Sequence, residues 1–205
     1  MKTFKALESV KTEEGNTTSI IEKSINDLPE GELLIKVSYS SLNYKDALSA
    51  SGSPGVTRNY PHTPGIDAVG IIEESADSSF QEGDKVIVTG YDLGMNTSGG
   101  FGQYIRVPSS WAIPLPDGLE EKDSMCLGTA GLTAGLSVHA LDKHNAHNGF
   151  SGTNTIVTGS TGGVGSIAVM LLSKLGSNVT AVTGKESEKE LLLSLGASEV
   201  VSRED

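Results

Sequence analysis

The sequence predicts an α/β protein with a β-rich N-terminal part, followed by the beginning of a doubly wound parallel sheet. Up to about residue 116, short strand-like runs are separated by Gly, Pro, Asn and Ser; from about residue 120, helix and strand patterns alternate. Between one apolar run and one amphipathic pattern sits a glycine cluster, GSTGGVGS at 159–166.

In the first part, Leu33, Ile35, Val37 and Tyr39 alternate with Leu34, Lys36 and Ser38, the period of a half-buried strand. Further strands are predicted at 68–72, 85–89 and 103–107, each beside a turn signal such as Pro64-Gly65, Gly83-Asp84 or Pro108-Ser109. Strands at this spacing predict a compact barrel or sandwich. In the second part a helix is predicted over 128–141, weakened by Gly131 and Gly135, then a strand at 154–158. Val164, Ile167, Ala168, Leu171, Leu172 and Leu175 form one helical stripe that Gly176 closes. A strand at 178–183, a helix at 186–195 and a strand starting at 199–201 follow. The predicted division is 1–120 and 121–205.

The glycine cluster reads as Ser160-x-Gly162-x-x-Gly165, a dinucleotide fingerprint with Ser at its first position. Such a turn needs little side chain where backbone approaches a diphosphate, and glycine where the helix packs on the strand. The amides of Ser160, Thr161, Gly162, Gly163, Val164 and Gly165 would then face the phosphates. An acidic residue at the end of the next strand would hold the ribose hydroxyl of NAD. Thr183, Gly184 and Lys185 stand there instead, with no carboxylate before Glu186, and Arg203 follows the third strand. A hydroxyl, a free amide and two cations suit a 2′-phosphate, so the expected cofactor is NADP(H).

The chain has 205 residues and a net charge of -11, which argues against nucleic acid or an anionic membrane as partner. One cysteine, Cys126, excludes an internal disulfide; the start MKTFKALESVKTEEG lacks a signal-peptide core; no apolar run approaches a membrane span. The expectation is a cytoplasmic protein.

SSLNYKDAL at 40–48, PGIDAVG at 64–70, VTGYDLG through GGFGQYIRVP at 88–108, GTAGLTA at 128–134 and LGAS at 195–198 join GSTGGVGS in one pattern. The chain resembles the medium-chain dehydrogenase/reductase superfamily, in the zinc-independent quinone oxidoreductase-like branch close to bacterial acrylyl-CoA reductases. The resemblance implies a GroES-like domain followed by a Rossmann domain, and NADPH reducing an enoyl-CoA or a quinone. It also implies contacts to NADPH from Tyr44, the 161–164 turn, Thr183-Gly184-Lys185 and Arg203, and a homodimer in full-length relatives. Lys185 stands where many relatives carry Arg, and Leu191 where an aromatic is common.

Where zinc-dependent members place a Cys and a His, this chain has Asn43 and Ile66; isoleucine offers no lone pair, so no metal is expected. His139, His144 and His147 lie close in sequence without a completing ligand, His62 reads as a loop residue, and Cys126 as a small packing residue. Tyr44 is the expected catalytic group, its phenol contacting nicotinamide or substrate, with Asn43 as a second, uncharged donor; Asp46 is expected to fix the loop. The five glycines of 90–102 suggest a loop lining the substrate site, with Met95 and Asn96 facing it, while Tyr91 and Trp111 read as packing residues. A complete Rossmann domain has six strands and this chain carries about three. The chain is therefore expected to be part of a longer protein, and its 205 residues alone to bind NADPH weakly and turn over little; a non-catalytic nucleotide-binding fragment is the alternative.

Overall fold

The structure, a computed structural model, describes residues 2–145 and 148–204. The chain divides into two compact units, Met1–Thr129 and Ala130–Asp205.

The first unit is built on β3 (Leu33–Tyr39), β4 (Asp67–Ser75), β5 (Lys85–Thr89), β6 (Tyr104–Val107) and β7 (Ala112–Pro114), an antiparallel sheet in the order β6-β3-β4-β5-β7. Ile35, Ile72, Val86, Ile105 and Val107 fill its core. Burial this complete is the main source of the unit's stability, at about 25 cal/mol per Å² of apolar surface. The alternation expected for β3 holds only in part. Leu34 is as buried as Leu33 and Ile35, because it packs on the opposite face with Phe4, Ala6 and Tyr104. That second cluster belongs to a hairpin the sequence does not predict, β1 (Thr3–Thr12) and β2 (Gly15–Ser24). No residue of β2 is buried, so it carries no period-2 apolar signal. A short helix, α1 (Tyr44–Ala50), follows β3.

A helical stretch, α2 (Glu121–His144), crosses the boundary between the units and begins earlier than predicted. By length and composition it could cross a membrane, where the sequence predicts no such run; Gly128 (φ 50°, ψ -152°) leaves helical geometry within it. His139 and His144 lie exposed on this stretch, and His147 is outside the described residues. Cys126 is exposed rather than a packing residue.

The second unit is a parallel sheet in the order β10-β9-β8, formed by β8 (Asn154–Thr158), β9 (Asn178–Thr183) and β10 (Glu199–Ser202). The connecting helices are α3 (Gly163–Lys174) and α4 (Lys189–Ser194), the latter preceded by a 3₁₀ turn where the sequence predicts continuous helix. Val169, Leu172 and Leu192 pack on Val179 and Ala181. Parallel strands bring their carboxyl ends to one edge, so Gly159, Gly184 and Arg203 all leave the sheet on the same side.

Candidate active site

Two places collect the polar groups singled out in the sequence. The first is the edge of the parallel sheet. Gly159 (φ 63°) ends β8, and Gly162 caps α3 in an extended conformation. A Cβ at Gly165 would lie 2.2 Å from the Gly159 carbonyl oxygen, so only glycine lets the helix start this close to the strand. The amides of Thr161, Gly163, Val164 and Gly165 find no acceptor among the described residues, while Ser166 already bonds the Gly162 carbonyl at 2.9 Å. These are the free donors of a helix start, and its dipole favours an anion there. Ser160 behaves differently. Its buried hydroxyl donates to the carbonyls of Val157 (2.6 Å) and Val182 (3.2 Å), so it ties β8 to β9 and offers a ligand no side chain.

At the end of β9, the hydroxyl of Thr183 is buried and accepts from the Lys185 amide at 3.0 Å. The Arg203 amide donates to the Thr183 carbonyl at 3.1 Å, which fastens Arg203 beside Thr183, Gly184 and Lys185. Lys185 and Arg203 are exposed and make no ion pair among the described residues. Beside them lies a recess lined by Thr183, Gly184, Glu186, Lys189, Ser202 and Glu204, so Lys189 adds a cation the sequence reading did not single out.

The second place is the edge of the antiparallel sheet where α1 begins. Asn43 caps this helix, and its backbone amide donates to Asp46 at 2.8 Å. Asp46 also accepts from the amides of Gly65 (3.2 Å) and Ile66 (2.9 Å), which is the loop-fixing role expected of it. Burial pushes its carboxyl up; the amides of Asn43 and Ile66 pull it down. The Asn43 side chain donates to Asp67 (2.9 Å) and to Ser41 (3.1 Å). Tyr44, the first residue of α1, is 79% exposed, and its hydroxyl has no partner among the described residues. Leu42, two residues earlier, is 88% exposed. An aromatic and an apolar side chain held out from a rigid cap form a surface on which a flat ligand can rest.

Three of the five glycines of loop 90–102, Gly94, Gly99 and Gly100, are buried rather than turned outward. The amides of Gly99, Gly100 and Phe101 donate to the carbonyls of Thr63, Gly65 and Pro64, and a Cβ at Gly94, Gly99 or Gly100 would meet the 64–67 backbone within 2.5 Å. Asn96 accepts from the Arg58 amide and donates to Asp92. Tyr91 is 64% exposed, stacked on Trp111 at 5.3 Å between ring centroids, with a left-handed backbone (φ 54°). His62 is buried against the Gly94 carbonyl at 2.8 Å rather than lying in an open loop.

Comparison with known proteins places this geometry. Residues 29–117 match the alcohol dehydrogenase GroES-like domain. The chain is 44% identical to acrylyl-CoA reductase AcuI of Ruegeria pomeroyi over 98% of its own length and 61% of that protein's. It is 46% identical, over the same shares, to Bacillus subtilis YhfP, provisionally named a quinone oxidoreductase. By these matches the chain is similar to the medium-chain dehydrogenase/reductase superfamily. Within the superfamily the likeness is to the quinone oxidoreductase-like branch, and the chain spans about 61% of the length of these relatives. The solved structure of Salmonella enterica yhdH with NADP is similar (TM-score 0.93, 41% identity, 98% of this chain and 61% of that one), as is B. subtilis yhfP with NAD bound (TM-score 0.92, 46% identity, 100% and 62%). The GroES-like and Rossmann-type architecture of this superfamily is the fold seen here.

Proposed function

We propose that the chain belongs to an NADPH-dependent reductase that acts, without a metal, on a carbon–carbon double bond conjugated to the carbonyl of an enoyl thioester. The observation that carries this is the sheet edge of the second unit: free amides at the start of α3, and the cations Lys185 and Arg203, without an ion pair among the described residues, fastened beside Thr183 with no carboxylate between β9 and Glu186. Bound NADPH supplies the hydride. The amides of Thr161, Gly163, Val164 and Gly165 hold its diphosphate; Lys185 and Arg203, with the Gly184 amide, take the 2′-phosphate. The Tyr44 hydroxyl orients the nicotinamide or donates to the substrate carbonyl oxygen as negative charge develops there, and Asn43 sets the direction in which Tyr44 projects. Asn43 and Ile66 do not supply the Cys and His of a catalytic zinc site, so on this reading the carbonyl is polarised by hydrogen bonding.

The name of YhfP supports a second reading, a quinone reductase using the same residues. Both readings are tested on the full-length protein. Dissociation constants for NADPH and NADH should favour NADPH at least tenfold, and tighter NADH binding would overturn the cofactor assignment. Acryloyl-CoA should be turned over with a higher kcat/KM than a simple quinone; the reverse order selects the quinone reading.

A further inference from the structure

Asp67 is 0% exposed, and no cation is among the partners the structure gives it. An ionised carboxylate in that position is tolerated only when donors replace water. Here they come from two distant segments. Ser41 Oγ and Asn43 Nδ2 (2.9 Å) donate to Oδ2 from the turn before α1; the Thr129 amide (2.9 Å) donates to the same oxygen, and the Thr129 hydroxyl to Oδ1 at 2.7 Å. The approach of the second segment depends on Gly128, where a Cβ would lie 2.7 Å from Asp67 Oδ2 and 2.8 Å from Ser41 Oγ. One buried carboxylate therefore fastens the residue next to Tyr44 to the point where helical geometry is interrupted in α2.

We infer that Asp67 is a positioning residue for the reaction, acting through Asn43 to hold Tyr44 in its outward, reactive setting. This rests on the reading of Tyr44 given above. A carboxylate suits the task because its two oxygens accept all these donors at once, whereas an apolar side chain would remove the acceptor that Asn43, Ser41 and Thr129 share. The short side chains involved have few torsions, so a shift of the acceptor moves the start of α1 rather than being absorbed by rotamer changes.

The test is a double-mutant cycle on the full-length protein. Asp67→Asn keeps shape and one acceptor oxygen but removes the charge. It should lower kcat by about tenfold, with KM for NADPH changed less than threefold and a thermal midpoint that shows a folded protein. Tyr44→Phe alone should also lower kcat; in that background Asp67→Asn should have little further effect, since both act through one hydroxyl. Full additivity of the two losses, or a loss confined to stability, overturns the inference. An unchanged rate for Tyr44→Phe instead removes the reading of Tyr44 and leaves the cycle without a first leg, a distinguishable result. If Asp67→Asn does not fold, Thr129→Val decides in the same cycle: it removes the Oδ1 donor while keeping the backbone amide on Oδ2, and should lower kcat severalfold with Tyr44 present but not in the Tyr44→Phe background.

Discussion

Gly165→Ala tests whether the strand-to-helix turn is built by close backbone approach. The added Cβ would stand 2.2 Å from the Gly159 oxygen, 2.8 Å from the Gly159 carbonyl carbon and 2.8 Å from Ser160 Cα. An ordinary carbon–oxygen contact is about 3.2 Å or more, so roughly 1 Å must be found by moving backbone on one side. Backbone moves of that kind cost about 1–3 kcal/mol, offset by up to about 1 kcal/mol from the better helix propensity of alanine. A net loss of about 1–2 kcal/mol lowers the melting temperature of a protein of this size by about 2–8 °C. Because the moved atoms carry the free amides, NADPH affinity should fall at least tenfold as well. Gly163→Ala is the matched control. Its Cβ would meet only the Ala130 methyl at 3.4 Å, so the melting temperature should hold, while a methyl group placed among the diphosphate donors weakens NADPH alone. Differential scanning fluorimetry and a fluorescence titration read both quantities. A Gly165→Ala protein with unchanged melting temperature and unchanged NADPH affinity would refute the close-approach account.

Lys185→Ala and Arg203→Ala should each weaken NADPH about tenfold and leave NADH within about twofold, since on the proposed reading each removes one charge-assisted contact to the 2′-phosphate; equal losses for both cofactors would assign the cations to general steering. His62 gives a pH signature. Burial holds its imidazole below the ordinary value of 6.5, reinforced by Lys23 and opposed by the Gly94 carbonyl and Asp92. The unfolded chain therefore binds the proton more readily than the folded one, and stability should be full above pH 6.5 and fall as pH drops below it. Urea midpoints at successive pH values should show that slope, and His62→Gln should flatten it.

The sequence is most legible where burial is one-sided or complete. The predicted bounds 85–89, 154–158 and 178–183 coincide with β5, β8 and β9, whose apolar β-branched runs allow no other period. The turn after β8 and the cations after β9 and β10 are likewise local signals, separated by one supersecondary unit, and the structure brings them to one edge. The Asp67 cluster is illegible for the opposite reason. Residues 41, 43, 67 and 129 are far apart, small and polar, and nothing in a one-dimensional pattern marks a carboxylate as the acceptor shared by all of them. The hairpin β1–β2 escapes because its second strand buries nothing, and the Tyr44 ring could not be told from a packed aromatic until its exposure was seen.

The glycines of 90–102 change what that loop can do in catalysis. A glycine-rich stretch suggests mobility and close passage of a ligand, but here Gly94, Gly99 and Gly100 are required because backbone lies on backbone of the 64–67 turn. The amides of Gly99, Gly100 and Phe101 are bonded to Thr63, Gly65 and Pro64, and the same turn supplies the Gly65 and Ile66 amides that hold Asp46. The loop is thus a rigid brace behind α1. Leu42 and Tyr44, at the start of α1, and Tyr91, on the loop, stay exposed, and on the reading proposed above Tyr44 is the one that meets the ligand. Tyr91 is held by packing, as the sequence predicts: its ring stacks on Trp111 and its hydroxyl donates to the Ser110 carbonyl at 3.2 Å. A left-handed backbone at a non-glycine residue costs of order 1–2 kcal/mol, which these contacts offset.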